Sequence, residues 1–277
     1  MSPTSTPVAA PSAASDEPVT VAREVPAWMI TTLSVVFFIG LWEFFGHGVD
    51  PIFGSYPSAI AEAGWDLLKS GVLGRALWQS MQAFLVGYGL SVIVGVPLGL
   101  LIGRSRFLEA ALGVFITGAY AMPLVALVPF LVLLLGLGFA VKASVVFLMA
   151  VFPIVINTWL GVRAVPKTLI EVGKSFVASD FTILRRIVLP ATIPYIMAGI
   201  KLAVGRGVVA MVIAEFFTAI SGLGGIIINS ANNFDTARMF VPVIVLMVLA
   251  TALNGLVGWV ERRVAPWQTE MSGRDGN

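Results

Sequence analysis

Gly173, Lys174 and Ser175 form a triplet that could touch a phosphate, since Gly-Lys-Ser closes the glycine-rich loops that cradle nucleotide phosphates. The rest of that loop is missing. Thr168 stands five residues before Gly173, where the motif requires glycine, and the context reads as helical rather than strand-turn-helix. The chain therefore carries no nucleotide site of its own. His47 is the only histidine and there is no cysteine, which excludes disulfides, thiolate metal sites, a polyhistidine metal centre and a histidine-based triad. Two ionisable residues do fall inside an apolar run, Arg206 and Glu215, and such residues are functional candidates by default. Nine residues is about two and a half helical turns, or about 13 Å, so the two lie on roughly opposite faces and do not pair. Arg206 could attract an anion or brace helix packing near the cytoplasmic end; Glu215 could face a cavity or anchor a neighbouring backbone.

The elements that position these groups are set by composition. The 277 residues are 58% hydrophobic and only 12% charged, with a mean hydropathy of +0.95. Soluble domains carry about 25% charged residues. The polar surface here is too small to cover a globule, so apolar side chains must face lipid. A net charge of +2 gives no reason to expect nucleic acid as a partner.

Six membrane spans are expected. The first is Trp28 to Phe45, whose 18 residues reach about 27 Å, close to the hydrocarbon thickness; Glu43 falls near its end. Pro57 to Ser70 is too short and too charged to span and reads as an interfacial helix, with Ile60, Ala63, Trp65, Leu67 and Leu68 on its apolar side. The second span, near Leu77–Ile102, carries Gly95, Gly99 and, just past its end, Gly103 at spacing four around Pro97, which favours close helix contact over a hinge. The third, Leu112–Leu137, contains Pro123 and Pro129, and the fourth, Ala143–Leu160, contains Pro153, each of which bends a helix. The fifth runs over Ile193–Ile220 and the sixth over Phe240–Val260. Pro123 joins Arg206 and Glu215 as a candidate for lining a path or for packing. Residues 1–25, rich in Pro, Ala, Ser and Thr, read as a disordered tail rather than a cleaved signal.

Lys and Arg set the orientation. With the N-terminus cytoplasmic, eleven of the 17 fall inside: Arg23, Arg104, Arg106, Arg163, Lys167, Lys174, Arg185, Arg186, Arg262, Arg263 and Arg274. Lys69, Arg75, Lys142 and Arg238 fall outside, and Lys201 and Arg206 lie within the fifth span. Both termini and the segment between spans four and five are then cytoplasmic. In that segment Leu169, Ile170, Val172, Phe176 and Val177 form an apolar side, which in water needs a partner or the membrane surface.

Glu171 to Pro190, reading EVGKSFVASDFTILRRIVLP, resembles the "EAA" motif of ABC importer permeases. Glu171, Ile187, Leu189 and Pro190 keep the family's spacing; Val172 and Gly173 replace its two alanines, and Val177 replaces its usual glycine. PSAIAEAGWDLL, VGVPLGLLIGRS, MPLVALVPFLVLLLGLG, FPIVINTWLGVR and LPATIPYIMAGIKLAVGRG extend the resemblance over roughly Trp42 to Arg263, towards the sulfonate, taurine and nitrate permeases. It implies an all-α membrane protein with the type I importer permease fold in a bacterial plasma membrane. It also implies a pair of permease copies, two ATPase subunits that bind the ATP and magnesium, and an extracytoplasmic binding protein that delivers a small anion. A coupling helix at about Leu169–Ser179 would enter a groove of the ATPase, with Glu171, Val172, Gly173, Val177, Ile187, Leu189 and Pro190 forming the coupling surface and its support. The chain itself binds no cofactor or metal and is not an enzyme.

The expected organisation is a tail over 1–25, a first span with its interfacial helix over 26–75, the permease domain over 76–263 and a tail over 264–277. Ser221–Met239 reads as an outside segment with a short helix dipping back, facing the binding protein. A pyrimidine precursor or another small heterocycle is the alternative cargo. An ion-coupled secondary transporter is the alternative class, although no internal repeat of the kind such transporters carry is visible.

Overall fold

A computed structural model describes residues 26–218 and 221–266; both expected tails lie wholly or mainly outside them, as does the expected end of the fifth span at Ile220. The described residues form helices and no strand. The order is α1 (Ala27–Gly46), α2 (Pro57–Lys69), α3 (Val72–Arg104), α4 (Arg106–Ala121), a short 3₁₀ turn (Leu124–Leu127), α5 (Val128–Leu135) and α6 (Phe139–Ala164). Then come α7 (Lys167–Ser175), α8 (Asp180–Ile183), a π-helical turn (Leu184–Val188), α9 (Leu189–Thr218), α10 (Leu223–Asn232) and α11 (Thr236–Val264). Backbone amides have no water to bond with in hydrocarbon, and helices satisfy them internally.

Five stretches are long and apolar enough to cross a membrane: Trp28–Gly46, Val72–Arg104, Phe139–Ala164, Asp180–Thr218 and Thr236–Val264. The expected third span is not one helix. α4 and the Leu124–Leu135 segment meet at an 88° bend, so the pair makes a sixth crossing only if it is taken as one broken span. Pro123 sits in that break and begins the 3₁₀ turn; it has no N–H to continue the α4 ladder. The expected fifth span also differs, because helix begins at Asp180 and runs unbroken through Pro190. Pro190 cannot donate to Arg186 and its ring crowds that carbonyl, and the wider π turn over Leu184–Val188 takes up the conflict. The Thr192 hydroxyl donates to the Val188 carbonyl at 2.7 Å just beyond.

The core is α3 on α6 on α9. Gly87, Gly95, Gly99 and Gly103 recur along the α3 face that meets α6. A β-carbon at Gly95 would lie 2.9 Å from the Ile154 side chain, and one at Gly99 would lie 2.6 Å from Thr158 and 2.7 Å from the Val155 carbonyl. The expected role of this stripe in close packing is thus what the structure displays. Ser91 on the same face donates across to the Phe147 carbonyl at 3.1 Å, and Tyr88 reaches the Ile200 carbonyl of α9 at 2.9 Å. α1 leaves most of its apolar side chains exposed, as a lipid-facing helix does, and α11 leaves one side so, with Met247, Val248 and Leu256 among them. α2 lies on α11 by burying Ile60 and Leu67 against Val241, while Trp65 and Leu68, expected on the same face, stay exposed. Glu43 of α1 accepts from the Ser58 amide (3.0 Å) and hydroxyl (2.6 Å) at the start of α2, and so ties the two together.

α7 ends in a Schellman turn. The Ala178 amide donates to the Gly173 carbonyl at 3.1 Å and the Val177 amide to the Lys174 carbonyl at 2.8 Å. The residue after the cap takes the left-handed conformation, and here it is Val177 at φ 56°. A β-branched side chain is strained there, and glycine is not.

This packing sets two expectations for stability. Gly99→Leu is expected to lower the thermal midpoint of the purified permease, by the ~1–3 kcal/mol that overpacking costs, whereas Gly89→Ala, which meets open space, is expected to leave it unchanged or raised; equal behaviour of the two would refute the close-contact reading. Val177→Gly is expected to ease the α7 turn by about 1 kcal/mol, within the ~1–2 kcal/mol of left-handed strain, and to slow amide hydrogen exchange at Val177 and Ala178. Faster exchange there would show the turn to be unstrained.

Candidate functional site

The first candidate surface is α7 together with α8 and the π turn. Apolar residues in this segment divide between two sides. Ile170, Ala178, Ile183, Leu184, Ile187 and Val188 turn inward and pack on Val162 and Val165 at the end of α6. Leu169, Val172, Phe176, Val177 and Phe181 turn outward, with Phe176 82% and Val177 91% exposed. The expected apolar side is therefore real except for Ile170, which is spent on the chain's own core. Outward apolar groups of this size are a candidate docking face.

Glu171 lies on the exposed side beside Val172, and among the described residues its carboxylate has no hydrogen bond or ion pair; its carbonyl accepts from the Ser175 hydroxyl at 3.0 Å. Gly173 is buried. A β-carbon there would come within 2.9 Å of Ile187 Cδ1, so its close approach is to the chain's own π turn. Ile187, Leu189 and Pro190 are half-buried and form the support beneath α7 and the entry to α9. The segment is fastened further by Arg104 at the end of α3, which ion-pairs with Asp180 at 3.3 Å and donates to its carbonyl at 3.1 Å. Arg163 pairs with Glu109 at 2.7 Å, joining α6 to α4 at the same end. These exposed pairs contribute little each, about 0–1 kcal/mol; the apolar seat on Val162 and Val165 is what holds the segment.

The second candidate region lies within the spans. Arg206 and Glu215 have separate partners. Glu215 is fully buried and anchors a neighbouring backbone, one of the two roles left open for it. Its carboxylate accepts from the Ser80 hydroxyl of α3 at 2.6 Å and from the Gly224 amide of α10 at 2.8 Å. Ser80 in turn accepts from the Leu223 amide at 2.9 Å, and Gln79 accepts from Gly222 at 3.2 Å. Gly222, at φ 90°, packs against the carboxylate so closely that any side chain there would overlap it. Lys142 completes the cluster. The charge count puts it in an outside loop, but it lies in the first turn of α6, 5% exposed, donating to the Ser221 hydroxyl at 2.8 Å and carbonyl at 3.1 Å and standing 4.0 Å from Glu215. The expected short helix in Ser221–Met239 is α10, and this cluster clamps its start.

Arg206 is half-buried and donates to the Tyr120 hydroxyl at 2.9 Å, with its guanidinium 4.3 Å from the centre of that ring. Tyr120 precedes Pro123 by three residues, so the structure brings Arg206 to the broken span and Glu215 elsewhere. Sequence reasoning does not single out Ser80, Lys142 or Tyr120. A lysine at the very start of an apolar run and a serine in register with the glycine stripe are the only signals that point to them. An open, wholly apolar cleft of about 580 Å³ among α1, α2 and α11, lined by residues such as Ile39, Trp65 and Met247, carries no titratable group. Among the described residues no set of acidic or histidine side chains could hold a metal ion.

Known proteins resemble this chain along most of its length. A nitrate import permease from Leptolyngbya laminosa is 29% identical over 256 residues, covering 89% of this chain and 90% of the relative. An aliphatic sulfonates transport permease from Escherichia coli K12 is 31% identical over 211 residues (76% and 80%), and a riboflavin transport system permease from Chloroflexus aurantiacus is 31% identical over 212 residues (76% and 79%). Among solved structures, the inward-facing MetNI methionine ABC transporter shares the fold, with a TM-score of 0.60 over 71% of this chain and 97% of the matched chain at 17% identity. Residues 95–266, which hold α7, the π turn, Arg206 and the Glu215 cluster apart from Ser80 and Gln79, match the family described as the binding-protein-dependent transport system inner membrane component. With that match spanning more than half its length, the chain belongs to this family of ABC transporter permeases and is a multi-pass protein of the plasma membrane.

Proposed function

We propose that this chain is the non-catalytic permease subunit of an ABC importer for a small oxyanion of the nitrate or sulfonate type. Six spans, with the Arg106–Leu135 pair counted as one, put both termini and α7 on the cytoplasmic side. Two copies form the path, an extracytoplasmic binding protein delivers the cargo, and a dimer of separate ATPase subunits binds the ATP and magnesium. The observation that carries this reading is the unpartnered apolar face of α7, with the Glu171 carboxylate beside it, at the end of the bundle where Arg104, Arg163, Lys167, Lys174, Arg185 and Arg186 gather. A groove on an ATPase subunit would take that face as an amphipathic helix is taken in other helix-in-groove contacts. Ile183 and Ile187 under Gly173 would pass a push on α7 directly into α6 and α9. The nitrate and sulfonate permeases among the relatives support the anion; the riboflavin permease supports a heterocycle as the second substrate reading.

The test uses the permease co-purified with its ATPase subunits and binding protein in liposomes. Hydrolysis stimulated by binding protein loaded with nitrate or ethanesulfonate is expected to fall about tenfold in Glu171→Ala, the loss of one hydrogen bond to a charged group of about 1.5 kcal/mol, with assembly and basal hydrolysis kept. Stimulation by riboflavin alone would transfer the cargo to the heterocycle reading. Failure of any ATPase subunit to co-purify would refute the importer reading and bring forward the ion-coupled alternative.

A further inference from the structure

Three cations lie within the membrane-crossing helices away from their ends or buried in them: Lys142, Lys201 and Arg206. Lys142 has Glu215, and Lys201 has Glu261 of α11. Arg206 alone among these has no carboxylate at ion-pair distance among the described residues. It stands about 25 Å along α9 from Leu189 and about 18 Å from Thr218, away from both ends of the helix. An unneutralised charge at that depth is unfavourable unless it faces water or meets an anion. Tyr120 does not neutralise it. The phenol accepts one hydrogen bond at 2.9 Å and the ring lies 4.3 Å from the guanidinium carbon, which orients the group without cancelling its charge. A guanidinium has five N–H donors, and the Tyr120 contact uses one. The remaining donors form a planar fork that suits two oxygens of a small oxyanion.

The surroundings leave that fork reachable. Leu202 and Val209, one turn before and after Arg206, are both about half exposed, and Gly205 faces open space. Tyr120 sits at the end of α4, three residues before Pro123 and the 88° break.

We propose that Arg206, positioned by Tyr120 at the broken span, is the anion-recognising point of the translocation path, taking one oxyanion of the nitrate or sulfonate class as it passes. This rests on the importer reading above and adds the residue that meets the cargo.

The native chain has no cysteine, so one introduced thiol reports its surroundings cleanly. Val209→Cys is made in the full permease, assembled with its ATPase subunits in liposomes, and labelled with sulfonatoethyl (anionic) or trimethylammonium-ethyl (cationic) methanethiosulfonate. Labelling is read from the intact mass of the permease. With each rate divided by that reagent's rate with a free small thiol in solution, the anionic reagent is expected to be favoured about tenfold over the cationic one, the scale of electrostatic enrichment in a low-dielectric cleft. Adding Arg206→Gln is expected to abolish that preference, Arg206→Lys to retain part of it, and Tyr120→Phe to reduce it while the reaction with a neutral reagent stays unchanged. Equal normalised rates for both reagents would overturn the proposal. So would reaction only with a lipid-soluble maleimide, which would place the residue against lipid. Gly205→Cys, whose added atoms enter open space, repeats the measurement if Val209→Cys does not assemble. Retained Glu171-dependent coupling in the same preparation separates failure of this proposal from failure of the importer reading.

Discussion

No hydrophobic force presses one helix against another in hydrocarbon, since lipid tails are as apolar as leucine. α3 and α6 meet because Gly87, Gly95, Gly99 and Gly103 remove the side chains that would hold them apart, and Val146, Ile154, Thr158 and Val162 fill the space. The other contacts depend on that seam. Backbones this close bring the Ser91 hydroxyl to the Phe147 carbonyl, and α9 then closes the trio through Tyr88 and through Gly199 and Gly207, which seat against Pro153 and Phe84. α1, which lacks such a seam, stays at the edge with its apolar face uncovered, while α11 packs one side on the core and leaves the other exposed.

The seam also places the two ends of the molecule. At one end α3 delivers Ser80 and Gln79, α6 delivers Lys142 and α9 delivers Glu215, and these four hold the Ser221–Gly224 backbone. Ser80, Lys142 and Glu215 are buried, so breaking one of them strands another, and these three act as a unit rather than a sum of bonds. At the other end α3 delivers Arg104 to Asp180, and the end of α6 gives α7 and α8 their apolar seat. The α7–α8 segment thus sits directly on α6 and on the entry to α9, the helices that carry Lys142, Arg206 and Glu215.

Departures from expectation are instructive because each has a local cause. Val177 stands where the resemblance leads one to expect glycine, yet the Schellman turn forms and its strain falls on a residue that projects outward. The third span breaks at Pro123, where a missing N–H removes the bond that would have carried α4 onward. The fifth span runs through Pro190 because the π turn ahead of it makes room. Proline in a sequence announces a disturbance; whether the helix bends, breaks or widens depends on what packs around it.

The membrane class, the positions of the apolar runs, the amphipathic α2, the family motif at Glu171–Pro190 and the small-residue stripe were all legible in the chain alone. They depend on composition and on spacings within a few turns, which local hydrophobicity and helical period dictate. The partners of the ionisable residues were not legible. Glu215 reaches Ser80 across 135 residues, Lys142 reaches Ser221 across 79 and Arg206 reaches Tyr120 across 86. Nothing in a helix's own period names a residue on another helix. Only the packing of α3, α6 and α9, and the bend at Pro123, decided that Glu215 would be buried as an anchor and that Arg206 would stand beside a phenol with no carboxylate to meet it among the described residues.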